Sequence, residues 1–283
     1  MLDRAYEALD GLLAAVFAAP CIVCGQITDR PTAGAACEPC WKTIRFITPP
    51  YCVSCGEPFP SLRTMALARD QRCSGAEGQR CARCVDAPPV VDVVRALGAY
   101  DGTLRDLVHG LKYEGRRSIA PRLAALLRER CGAVLAGADA VVPVPLHLRR
   151  EWSRGFNQAD VIARELGMPV WRPLRRTRYT APQAALAAHD RRENVSGAFG
   201  TRREPWNGWR TARLSGARVV LVDDVCTTGA TLDACAGVLK AAGAAEVRAV
   251  TVARALLGHT VGSGGRAKPI AGSARVISWP AGR

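Results

Sequence analysis

Residues 219–232, VVLVDDVCTTGATL, place two acids and several threonines directly after an apolar run. The run at 219–222 has no polar alternation, which is typical of a strand covered on both faces in a parallel sheet. Asp223 and Asp224 therefore stand at the carboxyl end of a strand, where open α/β sheets bind their ligands. Two neighbouring carboxylates suit the vicinal hydroxyls of a ribose, or a metal ion held by oxygen ligands.

The segment after the two acids reads as the start of a helix. Leu232, Cys235 and Leu239 fall on one helical face, and Gly243 suits its end. Small and hydroxylated residues at a helix start offer N–H groups and hydroxyls to a phosphate, and the positive end of the helix dipole points the same way. A phosphate site beside two carboxylates indicates a sugar phosphate, most simply ribose 5-phosphate. The predicted ligand-binding residues are Val225, Cys226, Thr227, Thr228, Gly229, Ala230 and Thr231.

The order of these elements resembles the phosphoribosyl pyrophosphate (PRPP) loop of type I phosphoribosyltransferases. The alternative is an ordinary strand, turn and helix with an aspartate cap. The resemblance implies that Asp223 and Asp224 are the catalytic pair that holds the ribose hydroxyls, and that residues 227–231 wrap the 5-phosphate. It further implies PRPP as the ligand and Mg²⁺ as the ion bound with it.

A second polar cluster follows another apolar stretch, in VPVPLHLRREWSRGFNQA. Arg154, Asn157 and Gln158 converge there beside Gly155, which lets backbone approach closely. Such a donor cluster suits a pyrophosphate group, whereas scattered arginines alone would fit a solvated basic loop. Lys112, in LKYEGRR, is either a second pyrophosphate contact or a solvated charge at a helix end.

Eight of the 12 cysteines form four C-x-x-C pairs before residue 85. Four thiolates suit the tetrahedral geometry of Zn²⁺, so four pairs predict two structural zinc sites that would supply folding free energy. A redox motif, or disulfides in an exported protein, are the alternatives. Sequential pairing is the default, and a cross-braced arrangement stays open. Sequential pairing joins Cys21 and Cys24 to Cys37 and Cys40, and Cys52 and Cys55 to Cys81 and Cys84.

Composition limits the protein class. A chain of 283 residues, 48% apolar and 23% charged, is typical of a globular protein of one or two domains. It contains no apolar run near the roughly 20 residues that cross a bilayer, and its first residues are acidic where a signal peptide is basic. We therefore expect a cytoplasmic protein without membrane insertion, whose cysteines are reduced.

The chain is basic, with a formal net charge of +14. Two Cys₄ zinc sites would lower this to roughly +10. A basic surface attracts the phosphate backbone of nucleic acids without sequence preference, so a nucleic acid is a candidate partner. The alternative is the composition common in high-GC bacteria, in whose proteins arginine replaces lysine.

Strands and helices alternate after the prolines near residue 89, which predicts an α/β fold with a parallel sheet flanked by helices. The expected organisation is an amino-terminal helix and double zinc module at 1–90, a phosphoribosyltransferase-like domain at 91–256, and a flexible basic tail at 257–283. The second domain is expected to have a core that does not depend on the zinc ligands. The predicted strands are 94–100, 138–146, 219–222 and 246–253, and the predicted helices are 102–113, 121–135 and 157–166.

The chain resembles the ComF/GntX (ComFC) family of bacterial natural competence from residue 21 to about 254. The motifs that carry this resemblance are, in order, CIVCG, CEPCW, YCVSCGEPF, LKYEGRR, VPVPLHLRREWSRGFNQA, PQAALAAHDRRENVSGAF and VVLVDDVCTTGATL. An insert around Cys73 and the stretch TRREPWNGWRTARLSGAR depart from it. The resemblance implies a zinc-ribbon-like module on a type I phosphoribosyltransferase-like domain, a part in handling incoming single-stranded DNA, and other competence proteins as partners.

Three functions are consistent with these motifs. The first is an enzyme that transfers a phosphoribosyl group from PRPP, with Arg154 and Lys112 meeting the pyrophosphate. The second is a noncatalytic adaptor that responds to PRPP during DNA uptake. The third is a zinc-stabilised single-stranded DNA binder with a vestigial loop, and the intact acids and threonines argue against it. The sequence does not indicate an acceptor for the transferred group.

Overall fold

The computed structural model describes most of the chain between residues 20 and 256. The predictions for the amino-terminal helix, the insert around Cys73, the PQAALAAHDRRENVSGAF motif and the tail at 257–283 lie wholly or mainly outside the described residues. Within the described part, no helix has the length and apolar character needed to span a membrane. The described ranges are 20–27, 34–59, 78–147, 151–152, 154–177, 197–201 and 213–256.

A parallel sheet forms the centre of the larger domain, as the sequence predicted. Its strands are β1 (Val93–Ala99), β2 (Ala140–Pro143), β5 (Arg218–Cys226) and β6 (Glu246–Arg254). They lie in the order β1-β6-β5-β2, and all neighbours are parallel. A separate antiparallel pair is formed by β3 (Leu174–Arg176) and β4 (Phe199–Thr201).

Helices cover both faces of this sheet. The α-helices among the described residues are α1 (Glu38–Lys42), α2 (Ala82–Asp86), α3 (Gly102–Tyr113), α4 (Ala120–Leu135), α5 (Gln158–Arg164) and α6 (Ala230–Ala241), of which α1 and α2 belong to the cysteine segments. Val220 and Val222 pack in the apolar cluster that holds α3, α4 and α5, whereas Val219 and Leu221 pack in the cluster that holds α6. Successive strand residues are therefore buried on opposite faces, which explains the apolar run without alternation.

The cysteine segments fold as two ribbons with the same local geometry. The first ribbon comprises residues 20–27 and 34–43, and the second comprises residues 52–59 and 78–86. In the first C-x-x-C turn of each ribbon, the N–H of a glycine, Gly25 or Gly56, donates to the carbonyl of the first cysteine at 2.8 Å. Both glycines have a left-handed φ, +74° and +71°, which favours glycine at this position of the turn.

The larger domain shares buried side chains with the first ribbon, whereas the sequence predicted a core that does not depend on the zinc ligands. Cys21, Cys40 and Trp41 belong to the same cluster of buried side chains as Leu104 and Leu107 of α3. The reason is size: the first ribbon has too few large apolar side chains to bury its own, and it completes its core against the helical layer.

Candidate functional site

A cavity of about 470 Å³ opens at the carboxyl ends of three strands. Tyr100 directly follows β1, residues 144–146 follow β2, and the two acids lie near the end of β5; all of them line the cavity. This is the edge at which parallel sheets bind their ligands. The predicted strand 138–146 ends earlier than expected, at Pro143, so residues 144–146 are free to form the cavity wall.

The acidic pair lies inside this cavity. Asp224 is only 9% exposed, and its Oδ1 lies 2.7 Å from the Nζ atom of Lys112. Asp223 accepts the backbone N–H of Asp224 at 2.8 Å. Lys112, whose side chain is 16% exposed, thus neutralises one acid of the pair and is not a solvated charge at a helix end.

Burial and mutual repulsion control the charges of this cluster. Desolvation, followed by the charge of Asp224, raises the pKa of Asp223 from 3.8 to about 7, although Lys112 and Arg176 act in the opposite direction. Burial disfavours the charged form of Lys112, but the two carboxylates outweigh it and raise the pKa of Lys112. Near neutral pH, therefore, Lys112 is charged while Asp223 exchanges its proton with solvent.

The loop after the acids turns into α6 through a glycine. Gly229 is the N-cap of α6 and has a φ of +85°, a backbone conformation that favours glycine. The first N–H groups of a helix have no acceptor within it and point out of the helix start. Thr227 and Thr231 line the cavity, and Thr228 and Gly229 line a small adjoining pocket. A helix start of this kind is a common place for anions to bind.

Four of the predicted loop residues do not line the cavity: Cys226, Thr228, Gly229 and Ala230. Cys226 is buried, and its Sγ lies 3.3 Å from the Nη1 of Arg254 in the adjoining pocket. Ala230 is also buried and packs in the cluster of α6. Val225 lines the cavity together with the acids.

The basic and amide residues of RGFNQA converge as the sequence predicted. Arg154 lines the cavity, and its Nη1 donates to Oε1 of the fully buried Gln158 at 3.2 Å. Its guanidinium also lies 4.9 Å from the ring centre of Tyr113. Asn157 caps α5, and its Nδ2 donates to the carbonyl of Val144 at 2.9 Å. Gln158 and Tyr113 thus orient Arg154, while Asn157 holds the cavity wall.

Besides the apolar wall at 144–146, three further cavity residues were not predicted from the sequence: Tyr100, Tyr113 and Arg176. Arg176 ends the short strand β3, which belongs to the two-stranded sheet and not to the parallel one. No local pattern distinguishes it from other surface arginines, and only the placing of the small sheet beside the cavity brings its charge near Asp223.

The eight paired cysteines form two clusters, in the sequential pairing that was the default. The first cluster is Cys21, Cys24, Cys37 and Cys40, and the second is Cys52, Cys55, Cys81 and Cys84; within each, the sulfur atoms lie within 4.8 Å of one another.

The sulfur spacing fits a tetrahedral ion. The Sγ atoms of Cys24 and Cys37, and those of Cys55 and Cys81, are 3.7 Å apart. A tetrahedron with Zn–S distances of about 2.3 Å has edges of about 3.8 Å. The two groups are therefore consistent with two structural zinc sites.

Comparison with known proteins agrees with this architecture. A model described as "Phosphoribosyl transferase domain" matches residues 152–264, and one described as "Double zinc ribbon domain" matches residues 12–85. Fold and sites thus define a class of protein in which a double zinc ribbon is joined to a type I phosphoribosyltransferase-like domain.

Relatives that match 62% to 77% of the chain narrow this class to a family. Competence protein F of Haemophilus influenzae is 31% identical over 229 residues, which cover 77% of this chain and 90% of the relative. DNA utilization protein YhgH of Salmonella typhi is 37% identical over 62% of this chain and 78% of its own. Competence protein ComFC of Bacillus subtilis is 28% identical over 77% and 83%. The chain belongs to the ComF family of competence proteins.

Proposed function

We propose that this chain binds PRPP, or a related ribose phosphate, together with Mg²⁺ in the cavity at the strand ends. The observation that carries the proposal is the meeting, in one cavity of about 470 Å³, of an acidic pair, two threonines beside a helix start and three cations. This volume is within the range of small-molecule sites, about 300–1,000 Å³. The ligand that needs all three groups at once is a ribose with phosphates on two sides.

Each part of the cavity has a role in this proposal. Asp223 and Asp224 hold the ribose hydroxyls and help to place Mg²⁺, and residues 227–231 enclose the 5-phosphate. Arg154 and Lys112 meet the pyrophosphate. Mg²⁺, when bound, offsets the negative charge of that group.

The reaction that suits this site is transfer of the phosphoribosyl group. Departure of pyrophosphate leaves positive charge on the ribose, so fixed geometry and carboxylates beside the ring contribute more than a strong base. The orientation of Arg154 by Gln158 and Tyr113 provides that fixed geometry on the leaving-group side.

The cellular role that we propose is the handling of incoming single-stranded DNA, together with other competence proteins. Relatives that cover most of the chain are named for competence and for DNA utilization. The formal charge of +14 favours contact with a phosphate backbone. Loss of the protein should then reduce uptake or integration of transforming DNA, and unchanged transformation of a naturally competent host would contradict this role.

Thermal unfolding with and without ligand tests the binding proposal. PRPP with Mg²⁺ should raise the melting temperature, because a ligand at 100 times its Kd stabilises the native state by about 2.7 kcal/mol. Ribose 5-phosphate should give a smaller rise, since it lacks the group that Arg154 and Lys112 meet. No rise at millimolar PRPP would contradict the proposal.

Pyrophosphate release separates the enzyme from the adaptor. The protein is incubated with PRPP, Mg²⁺ and a panel of nucleobases and single-stranded oligonucleotides. Release that depends on one acceptor supports the transferase. Tight PRPP binding without release across the panel favours the noncatalytic adaptor.

A further inference from the structure

The second ribbon contacts residues 227–231, which we call the phosphate loop. Arg83 lies in α2 between two zinc-ligand positions, Cys81 and Cys84, and its Nη1 donates to the backbone carbonyl of Thr228 at 3.0 Å. Both Arg83 and Thr228 line the small pocket that adjoins the cavity. A charged donor on the ribbon thus fixes one peptide group in the middle of the loop.

A second arginine joins the ribbon to the residue at which the loop begins. Arg254, at the end of β6, is 1% exposed, and its Nη1 donates to the carbonyl of Cys55 at 2.8 Å and lies 3.3 Å from the Sγ of Cys226. Its Nε is 2.5 Å from a carboxylate oxygen of Glu57 in the same ribbon. A buried guanidinium needs such partners, because an unpaired buried charge is strongly destabilising. Arg254 therefore links the second ribbon to Cys226, the last residue of β5.

The segment that follows the second ribbon in the chain contacts the residues just after the phosphate loop. Asp233, in the first turn of α6, accepts the backbone N–H groups of Val90 and Val91 at 3.0 and 3.2 Å. The ribbon and its exit segment thus contact the chain before the loop at Cys226, within it at Thr228, and after it at Asp233.

We propose that Arg83 and Arg254 are positioning residues through which the second ribbon holds the phosphate loop in its binding conformation. The second ribbon is then a structural part of the phosphate site as well as a folding unit. The inference rests on the proposed function for its ligand, but the mechanical link between ribbon and loop does not. Arg83 lies between two metal-ligand positions, so a well-ordered second ribbon fixes the position of its side chain. The hydrogen bond from Arg83 to Thr228 in turn fixes the position of the loop.

Hydrogen exchange on the full-length, zinc-loaded protein tests the link without ligand. Arg83→Ala should speed the exchange of the amides of residues 227–231 about tenfold, the scale of one hydrogen bond from a charged donor. Arg80→Ala is the matched control, because Arg80 is an exposed arginine of the same ribbon three positions away, and it should leave the loop unchanged. Equal exchange in both variants, with equal zinc content, would overturn the proposal.

Titration with ribose 5-phosphate tests the consequence for binding. Arg83→Ala should weaken its affinity about tenfold, or about 1.4 kcal/mol, with zinc content and unliganded melting temperature close to those of Arg80→Ala. Arg83→Lys, which keeps one charged donor, should recover about threefold of that loss. Wild-type affinity in folded Arg83→Ala would overturn the inference. If the wild-type protein binds no ribose 5-phosphate while loop exchange still depends on Arg83, the proposed ligand is wrong and the link between ribbon and loop is supported.

Discussion

The proton on Asp223 should control ligand affinity near neutral pH. Its pKa is raised to about 7 by burial and by the neighbouring Asp224. A carboxylate that accepts ribose hydroxyls or helps to place Mg²⁺ binds in its ionised form, so the ligand competes with the proton. Affinity should therefore rise as pH increases through 7 and level off above it. At pH 6, about one molecule in ten is ionised at Asp223, which predicts about tenfold weaker binding than at pH 8.

The assay is calorimetric titration of PRPP with Mg²⁺ at pH 6, 7 and 8, each in two buffers of different ionisation enthalpy, which counts the protons released. The phosphates of the ligand also titrate near pH 6, so the wild type is compared with Asp223→Asn, in which only the ligand's own titration remains. Between pH 8 and pH 6, affinity should fall about tenfold more for the wild type than for the variant. Identical pH profiles for the two proteins would refute the assignment of this proton to Asp223.

Three other predictions concern the buried ion pair, the metal and DNA. Lys112→Met leaves Asp224 buried without its cation and should lower the free energy of unfolding in urea by about 3 kcal/mol; a loss below about 1 kcal/mol would show that the pair contributes little. Metal analysis should find two zinc ions per chain. Chelation should destabilise both domains because Cys21 lies in their shared core. An unchanged melting curve after metal removal would contradict this. If single-stranded DNA binds the basic surface, its affinity should fall steeply with added salt, and a flat salt dependence would indicate another mode.

The features that the sequence predicted well are those with a local pattern. An apolar run without alternation specified a strand buried on both faces, and Val219 and Val220 do pack on opposite sides of the sheet. The helix predicted at 102–113 has the same bounds in the structure, because its apolar spacing is regular. The sequential grouping of the four C-x-x-C pairs was also confirmed, and each C-x-x-C turn is a short-range unit that is closed by its own hydrogen bonds.

The features that the sequence missed depend on contacts between distant segments. Trp41 shares a core with Leu104, and nothing near either residue in the chain indicates it. Arg83, Arg176 and Arg254 are single arginines without a motif. Arg83 and Arg254 bond to partners more than a hundred residues away in the chain, Thr228 and Glu57. Arg176 lies on a separate small sheet. The importance of all three therefore follows only from the folded arrangement.

Binding of PRPP by the acidic pair is tested most directly by titrating PRPP with Mg²⁺ into the wild type and into the variant that combines Asp223→Ala with Asp224→Ala. Zinc content is measured on both samples, since the two carboxylates are separate from the cysteine clusters. We predict saturable binding by the wild type and none by the zinc-loaded variant. Equal binding by both proteins would contradict the assignment of the ligand to this site.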